Sequence, residues 1–219
     1  MERLNTNTPL DKILNGGIEK GSITNIYGPA GSGKTNIVLC AIIQAIKNNK
    51  KIIYLDTENS FSSERFKQLG NGVSINNINF HHIHTWKEQH QKIKNLENLV
   101  DENTGAIIVD SLVNLYHLEL DTDDYQDTNK KLAGQYAILS KIARKRSIPV
   151  IVTSQVYGDG HDVRMIGSRI GKYWSKTLIE LKKNQKANQR TAIVRKHRSI
   201  PEEKSIKFEI KQNCLREIE

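Results

Sequence analysis

The sequence predicts an α/β fold: a mainly parallel central sheet flanked by helices, with short strands extending it toward the C-terminus. Three observations lead there. Apolar runs without polar alternation, at 52–56, 106–110 and 150–154, have the pattern of strands buried on both faces. Stretches of helical spacing separate them, the alternation that builds parallel sheets. A glycine-rich turn at 28–35 joins a strand to a helix.

Taken in order, 23–27 is a strand and 34–48 a helix; 52–56 is a strand and 62–69 a short helix. A weak strand is expected at 79–84, helical spacing covers 86–100, and the strand at 106–110 ends in an acid. A long helix at 129–146 leads into the strand at 150–154. Residues 157–171 hold four glycines and are expected to interrupt regular structure. The last quarter has a different pattern, in which 177–181, 191–194 and 206–210 are short strands between charged, turn-like stretches. No repeat or linker divides the chain, so 1–219 is expected to form one domain.

With 37% hydrophobic and 26% charged residues, the composition excludes a disordered chain. No run approaches the roughly 18 apolar residues of a membrane span. The segment Met1-Glu2-Arg3-Leu4-Asn5 has no apolar signal core, so a cytosolic location is expected. Cys40 and Cys214 have no metal-type spacing, and both are expected to be buried as small hydrophobes. The net charge of +9 is concentrated: residues 164–219 hold 15 Lys/Arg against 6 Asp/Glu, and the remainder is balanced. Such a surplus suits a polyanion, usually nucleic acid, but would equally suit a solvated lysine-rich surface.

The segment Gly28-Pro29-Ala30-Gly31-Ser32-Gly33-Lys34-Thr35 fits the P-loop pattern. Its glycines let backbone N–H groups close around phosphate oxygens, and the following helix turns its positive end toward the anion. Lys34 is expected on the β- and γ-phosphates, and Thr35 on Mg²⁺. A chance glycine-rich turn does not explain the strand before and the helix after. Asp110, at the end of a buried strand, is expected to hold the Mg²⁺, often through water. A strand-end Asp can also simply cap a turn, and the P-loop upstream decides for the metal. Glu58 follows the second strand and has the chemistry to polarise an attacking water. Many strands end in acidic turns, so alone it remains open. Gln155 ends the strand at 150–154; its amide can either sense a γ-phosphate or form part of a polar turn.

Together these blocks resemble RecA-like recombinases, a group that includes RadA, RadB and KaiC-type ATPases. The lead-in Thr8-Pro9-Leu10-Asp11-Lys12-Ile13-Leu14-Asn15-Gly16-Gly17-Ile18 is similar to theirs, as are Tyr54-Leu55-Asp56-Thr57-Glu58, Asp110-Ser111 and Val152-Thr153-Ser154-Gln155-Val156. They run in the family's order and cover nearly the whole chain. Lys196-His197-Arg198-Ser199-Ile200-Pro201-Glu202-Glu203 resembles the archaeal RadB paralogues more than RadA, and so does the length.

The resemblance implies a RecA-like core with ATP and Mg²⁺ as cofactors. It makes Glu58 the catalytic glutamate and Arg65 an adenine-stacking arginine. It makes Gln155 the start of a second DNA loop at 157–171, in which Arg164 and Arg169 meet DNA phosphates, and Pro201 a cap on a neighbour's nucleotide. It further implies very weak hydrolysis, DNA binding without strand exchange, and a helper role beside a RadA-type recombinase and a Holliday-junction resolvase. Binding is expected to single- and double-stranded DNA without sequence preference, with a homo-oligomer allowed and no membrane partner.

Three departures from RadA bear on this. Only seven residues precede Thr8, so RadA's N-terminal helical DNA-binding domain and filament linker are expected to be absent. The segment expected as the first DNA loop, Asp121-Thr122-Asp123-Asp124-Tyr125-Gln126-Asp127, carries four acids that repel phosphates. His197 stands near where RadA has an acidic cap residue. The acidic segment favours an alternative, a KaiC-like regulatory P-loop ATPase with no DNA role; the basic last quarter favours the DNA-binding reading.

Overall fold

The computed structural model describes residues 2–120, 125–158 and 164–219. The chain opens with β1 (Arg3–Leu4), α1 (Leu10–Ile13) and β2 (Ile18–Glu19), β1 pairing antiparallel with β2. There follow β3 (Ile23–Tyr27), α2 (Lys34–Lys47), β4 (Lys51–Asp56), α3 (Ser63–Gly70) and β5 (Ile78–His82). Next come α4 (Trp86–Lys94), β6 (Thr104–Asp110), α5 (Asn114–Leu118), α6 (Tyr125–Arg146) and β7 (Val150–Ser154). The remainder is β8 (Val156–Tyr157), β9 (Arg164–Met165), α7 (Ser168–Trp174), β10 (Thr177–Lys183), β11 (Gln189–Lys196), β12 (Ser205–Ile210) and β13 (Leu215–Glu217).

Nine strands form the main sheet, in the order β13-β12-β11-β10-β3-β7-β6-β4-β5. From β10 to β5 every neighbouring pair is parallel; β11, β12 and β13 continue the sheet antiparallel. The RecA-like architecture read from the sequence is the one observed.

Both faces of the parallel part are covered, which accounts for the unalternated apolar runs. Successive side chains on a strand point to opposite faces. Ile52, Tyr54, Ala106 and Ile108 join one core with Ile37, Ile42 and Phe66 from α2 and α3. Ile53, Leu55, Ile107 and Val109 join the other with Ile93, Leu139 and Ile142 from α4 and α6. The register sets Tyr27 beside Ser154 and Asp110 beside Asp56. The loops leaving these strands therefore share one edge of the sheet, where ligands of open α/β folds bind.

Several elements depart from expectation. Helical structure at 86–100 splits into α4 and a 3₁₀ turn at Leu96–Leu99. The helix expected at 129 begins four residues earlier, at Tyr125. The segment 157–171, expected to lack order, contains β9, paired with β8, and the first turn of α7. Residues 159–163 of that loop, and 121–124 of the acidic segment, lie outside the described residues. Cys40 is buried as expected, but Cys214 is exposed, because it sits in the turn between β12 and β13 at one edge of the sheet. Among the described residues no helix is long and apolar enough to cross a membrane.

Candidate functional site

The loop Gly28–Thr35 leaves the C-terminal end of β3 and turns into α2. Gly33, with φ of 99°, makes the last step into the helix, and no side chain caps it. The first N–H groups of α2 thus lack a side-chain acceptor, the arrangement that receives an anion at a helix N-terminus. Lys34 is only 8% exposed. Its Nζ donates to the carbonyls of Gly28 at 2.9 Å and Pro29 at 3.2 Å, so the ammonium is folded back into the loop. Burial holds its pKa below the usual lysine value, and the nearby Glu58 and Asp110 carboxylates push the other way. A buried ammonium satisfied only by carbonyls is poised to gain from a phosphate.

The last strands of the sheet wall this loop from outside. A Cβ at Gly28 would lie 2.4 Å from the Leu181 carbonyl oxygen, and one at Gly33 would lie 3.0 Å from Ile210 Cδ1. Arg190 on β11 donates through Nε and Nη2 to the Gly31 carbonyl, at 3.2 and 2.9 Å. Neither Arg190 nor its bond to the loop was visible in the sequence, where 159 residues separate the partners.

Asp110 ends β6, 1% exposed, and the Thr35 hydroxyl donates to its Oδ2 at 2.9 Å. Tyr54 and Ser60 donate to the same oxygen, at 2.9 and 3.0 Å, and Thr153 donates to Oδ1. No lysine or arginine among the described residues forms an ion pair with Asp110. A buried carboxylate that lacks such a partner, beside a threonine hydroxyl at a phosphate loop, fits the hard-oxygen chemistry of Mg²⁺.

Glu58 lies in the turn after β4. Asp56 shapes that turn: its Oδ1 accepts the N–H groups of Glu58 and Ser60, and its Oδ2 that of Phe61, at 3.1–3.2 Å. Asp56 is therefore a turn anchor, and Glu58 is the acid that reaches outward. Gln155 Nε2 donates to Glu58 Oε1 at 3.0 Å, which brings together two residues 97 apart in sequence. A cavity of about 250 Å³ opens beside Glu58, lined also by His82, His84 and Asn114.

Arg65 lies at the rim of α3. It donates to Asn36 Oδ1 at 2.6 Å, to Gln68 Oε1 at 3.0 Å and to the Lys211 carbonyl at 2.9 Å. Its guanidinium thus bridges the start of α2 and the β12–β13 turn. Arg164 on β9 and Arg169 on α7 are both exposed. Arg169 lines a cavity of about 750 Å³, together with Tyr116, Tyr125, Tyr157, Lys130 and Ile166. Tyr173 is 73% exposed, whereas Trp174 packs partly against the core. His197 is not at the phosphate loop: its ring is buried 3.6 Å from Glu19, which Arg198 also meets at 3.0 Å.

The model of the Rad51 family matches residues 3–218. The chain is 41% identical over 214 residues to the DNA repair and recombination protein RadB of Methanococcoides burtonii, covering 95% of this chain and 94% of that protein. Its identity to the RadB of Methanosphaera stadtmanae is 40% over 214 residues, 94% of this chain and 91% of the relative. Among solved structures, a RadB recombinase superposes with a TM-score of 0.83 at 32% identity, covering 99% of this chain and 100% of that one.

Proposed function

Since the chain belongs to the Rad51 family, and within it to the RadB group, we propose that it is an ATP-binding accessory protein of DNA repair and homologous recombination. One observation carries the nucleotide part: Lys34, Thr35 and Asp110 converge at an uncapped helix N-terminus, with Glu58 and Gln155 bonded to each other alongside.

In this reading, residues 1–219 act as one ATPase domain. The free backbone N–H groups of the loop ending at Thr35 and the Lys34 ammonium bind the phosphates, and Arg65 stacks on the adenine. Thr35, through its hydroxyl oxygen, and Asp110 are the residues that would hold a Mg²⁺ ion. When bound, Mg²⁺ neutralises charge on the phosphoryl oxygens. Glu58 polarises the attacking water by accepting a hydrogen bond from it. The bond from Gln155 engages a Glu58 oxygen, so the two act as a pair, and Gln155 carries the state of the site into the strand and loop behind it. Turnover is slow and little stimulated by DNA. Arg164 and Arg169 contact the phosphates of single- or double-stranded DNA without reading bases. The partners are a RadA-type recombinase, a Holliday-junction resolvase and further copies of the chain, in the cytosol.

Calorimetry with Mg·ATP, followed by retention on DNA at rising salt, tests this. Nucleotide binding together with low-salt DNA retention that falls as salt rises is expected. ATP binding with no DNA retention at any salt would replace it with the regulatory ATPase reading. Brisk DNA-stimulated hydrolysis would replace it with a recombinase active by itself.

A further inference from the structure

An ionised carboxylate can only accept hydrogen bonds, so every hydroxyl on it must donate. Asp110 takes four: Thr35, Tyr54 and Ser60 on Oδ2, and Thr153 on Oδ1. Thr35 spends its only proton there and keeps its lone pairs for a cation. Tyr54 and Ser60 have no such second task. Neither belongs to the phosphate loop or to the strand of Asp110; both come from β4 and the turn beyond it.

Each of these two donors is itself held rigid. The Tyr54 ring is fully buried against Phe61 and Phe80, both at 5.6 Å between centroids, and those two rings pack edge to face at 4.5 Å. Ser60 gives its amide to Asp56 Oδ1 at 3.1 Å while its hydroxyl goes to Asp110. The amide of Glu58 is held by that same Asp56 oxygen. One short turn thus carries Glu58 and grips the carboxylate across the site.

We propose that Tyr54 and Ser60 are positioning residues that fix the Asp110 carboxylate for a divalent cation at Thr35, and that Ser60 couples this carboxylate to the turn bearing Glu58. The inference rests on the nucleotide-site reading above. Outer partners of metal-holding carboxylates set their orientation, and removing one typically costs about 10–100-fold in metal affinity.

The test is the Mg²⁺ midpoint for binding a fluorescent ATP analogue, measured for wild type, Ser60→Ala, Ser60→Thr and Tyr54→Phe. Ser60→Ala should need about tenfold more Mg²⁺. Ser60→Thr, which keeps the hydroxyl, should restore the midpoint. Melting temperature and analogue binding in chelator should match wild type. If Ser60→Ala does not fold, Tyr54→Phe, which keeps the packed ring, gives the answer through the same shift. Wild-type midpoints in both variants overturn the proposal. So does a drop in binding that is equal with and without Mg²⁺, which marks a merely structural role. Wild-type protein that binds no analogue at any Mg²⁺ concentration overturns the nucleotide-site reading itself.

Discussion

Lys34 is bonded to two carbonyls of its own loop, and burial depresses its pKa. A phosphate would replace those neutral acceptors with charged oxygens, and hydrogen bonds to charged groups are worth roughly 1.5–3 kcal/mol each. Lys34→Ala should therefore lower ATP affinity by at least about tenfold, to the limit of calorimetric detection, with the melting curve retained. Undiminished affinity would remove the loop from the binding site. At this scale the sequence was most legible where spacing is local: Gly28 to Thr35 are eight consecutive residues with one geometry. Asp110 could be nominated because it ends an apolar run, and Glu58 because it lies in the turn just after one. Tyr54 could not, since a tyrosine inside such a run looks like core, and its hydroxyl bond spans 56 residues. Ser60 and Arg190 were equally silent. Their roles exist only once β4, β6 and β11 are arranged in the sheet.

Elements with a clear period were read nearly to the residue. β3 and β7 match their expected bounds, and α2 ends one residue early at Lys47. Two-residue strands such as β8 and β9 have no period to read. The start of α4 is fixed by a capping box, Thr85 with Glu88, and its end by the 3₁₀ turn that follows. The β8–β9 hairpin and α7 carry the element-scale prediction. Arg164 and Arg169 stand exposed on them. Replacing both by glutamine should weaken binding to every DNA sequence alike. It should also reduce the slope of log affinity against log salt by about 0.7–0.9 for each phosphate that is no longer neutralised. If affinity and slope match wild type in a salt titration on single- and double-stranded DNA, the DNA site lies elsewhere on the basic last quarter. The turn at 182–186 and the segment at 195–198 are the next places to look.

For the molecule as a whole, the alternation of patterns pointed to the fold class, but the strand order could not be read. Nothing local tells β3 that its neighbours are β7 and β10, more than a hundred residues away. The folded chain also acquires a pH dependence that no motif displays. His81, His90 and His197 have pKa values lowered chiefly by burial, and in His197 this outweighs the opposing pull of Glu19. The unfolded chain therefore binds more protons than the folded one once pH falls below about 6.5, the ordinary histidine value. The stability these groups contribute is present above that pH and is lost as pH falls through their folded values. Melting temperature should be lower at pH 5.5 than at pH 7.5, by about 2–4 °C for each kcal/mol lost in a chain of this size. Equal melting temperatures at the two pH values would refute the assignment. Acids with lowered pKa values, such as Glu88 and Glu97, act in a separate window, below about pH 4.5.

The wall of late strands around the phosphate loop has a consequence in time. Residues 28–35 leave the ribosome well before Leu181, Arg190 and Ile210, which press on their glycines and carbonyls. At about 5–20 residues per second the interval is on the order of ten seconds or longer. Throughout it the nascent chain holds a nucleotide motif without its backing. The pairing of β10 with β3 is also among the most distant in sequence, the kind that forms slowly. A nascent chain should acquire nucleotide affinity in one step, once β12 is free to pair in the sheet, rather than gradually after α2 has appeared.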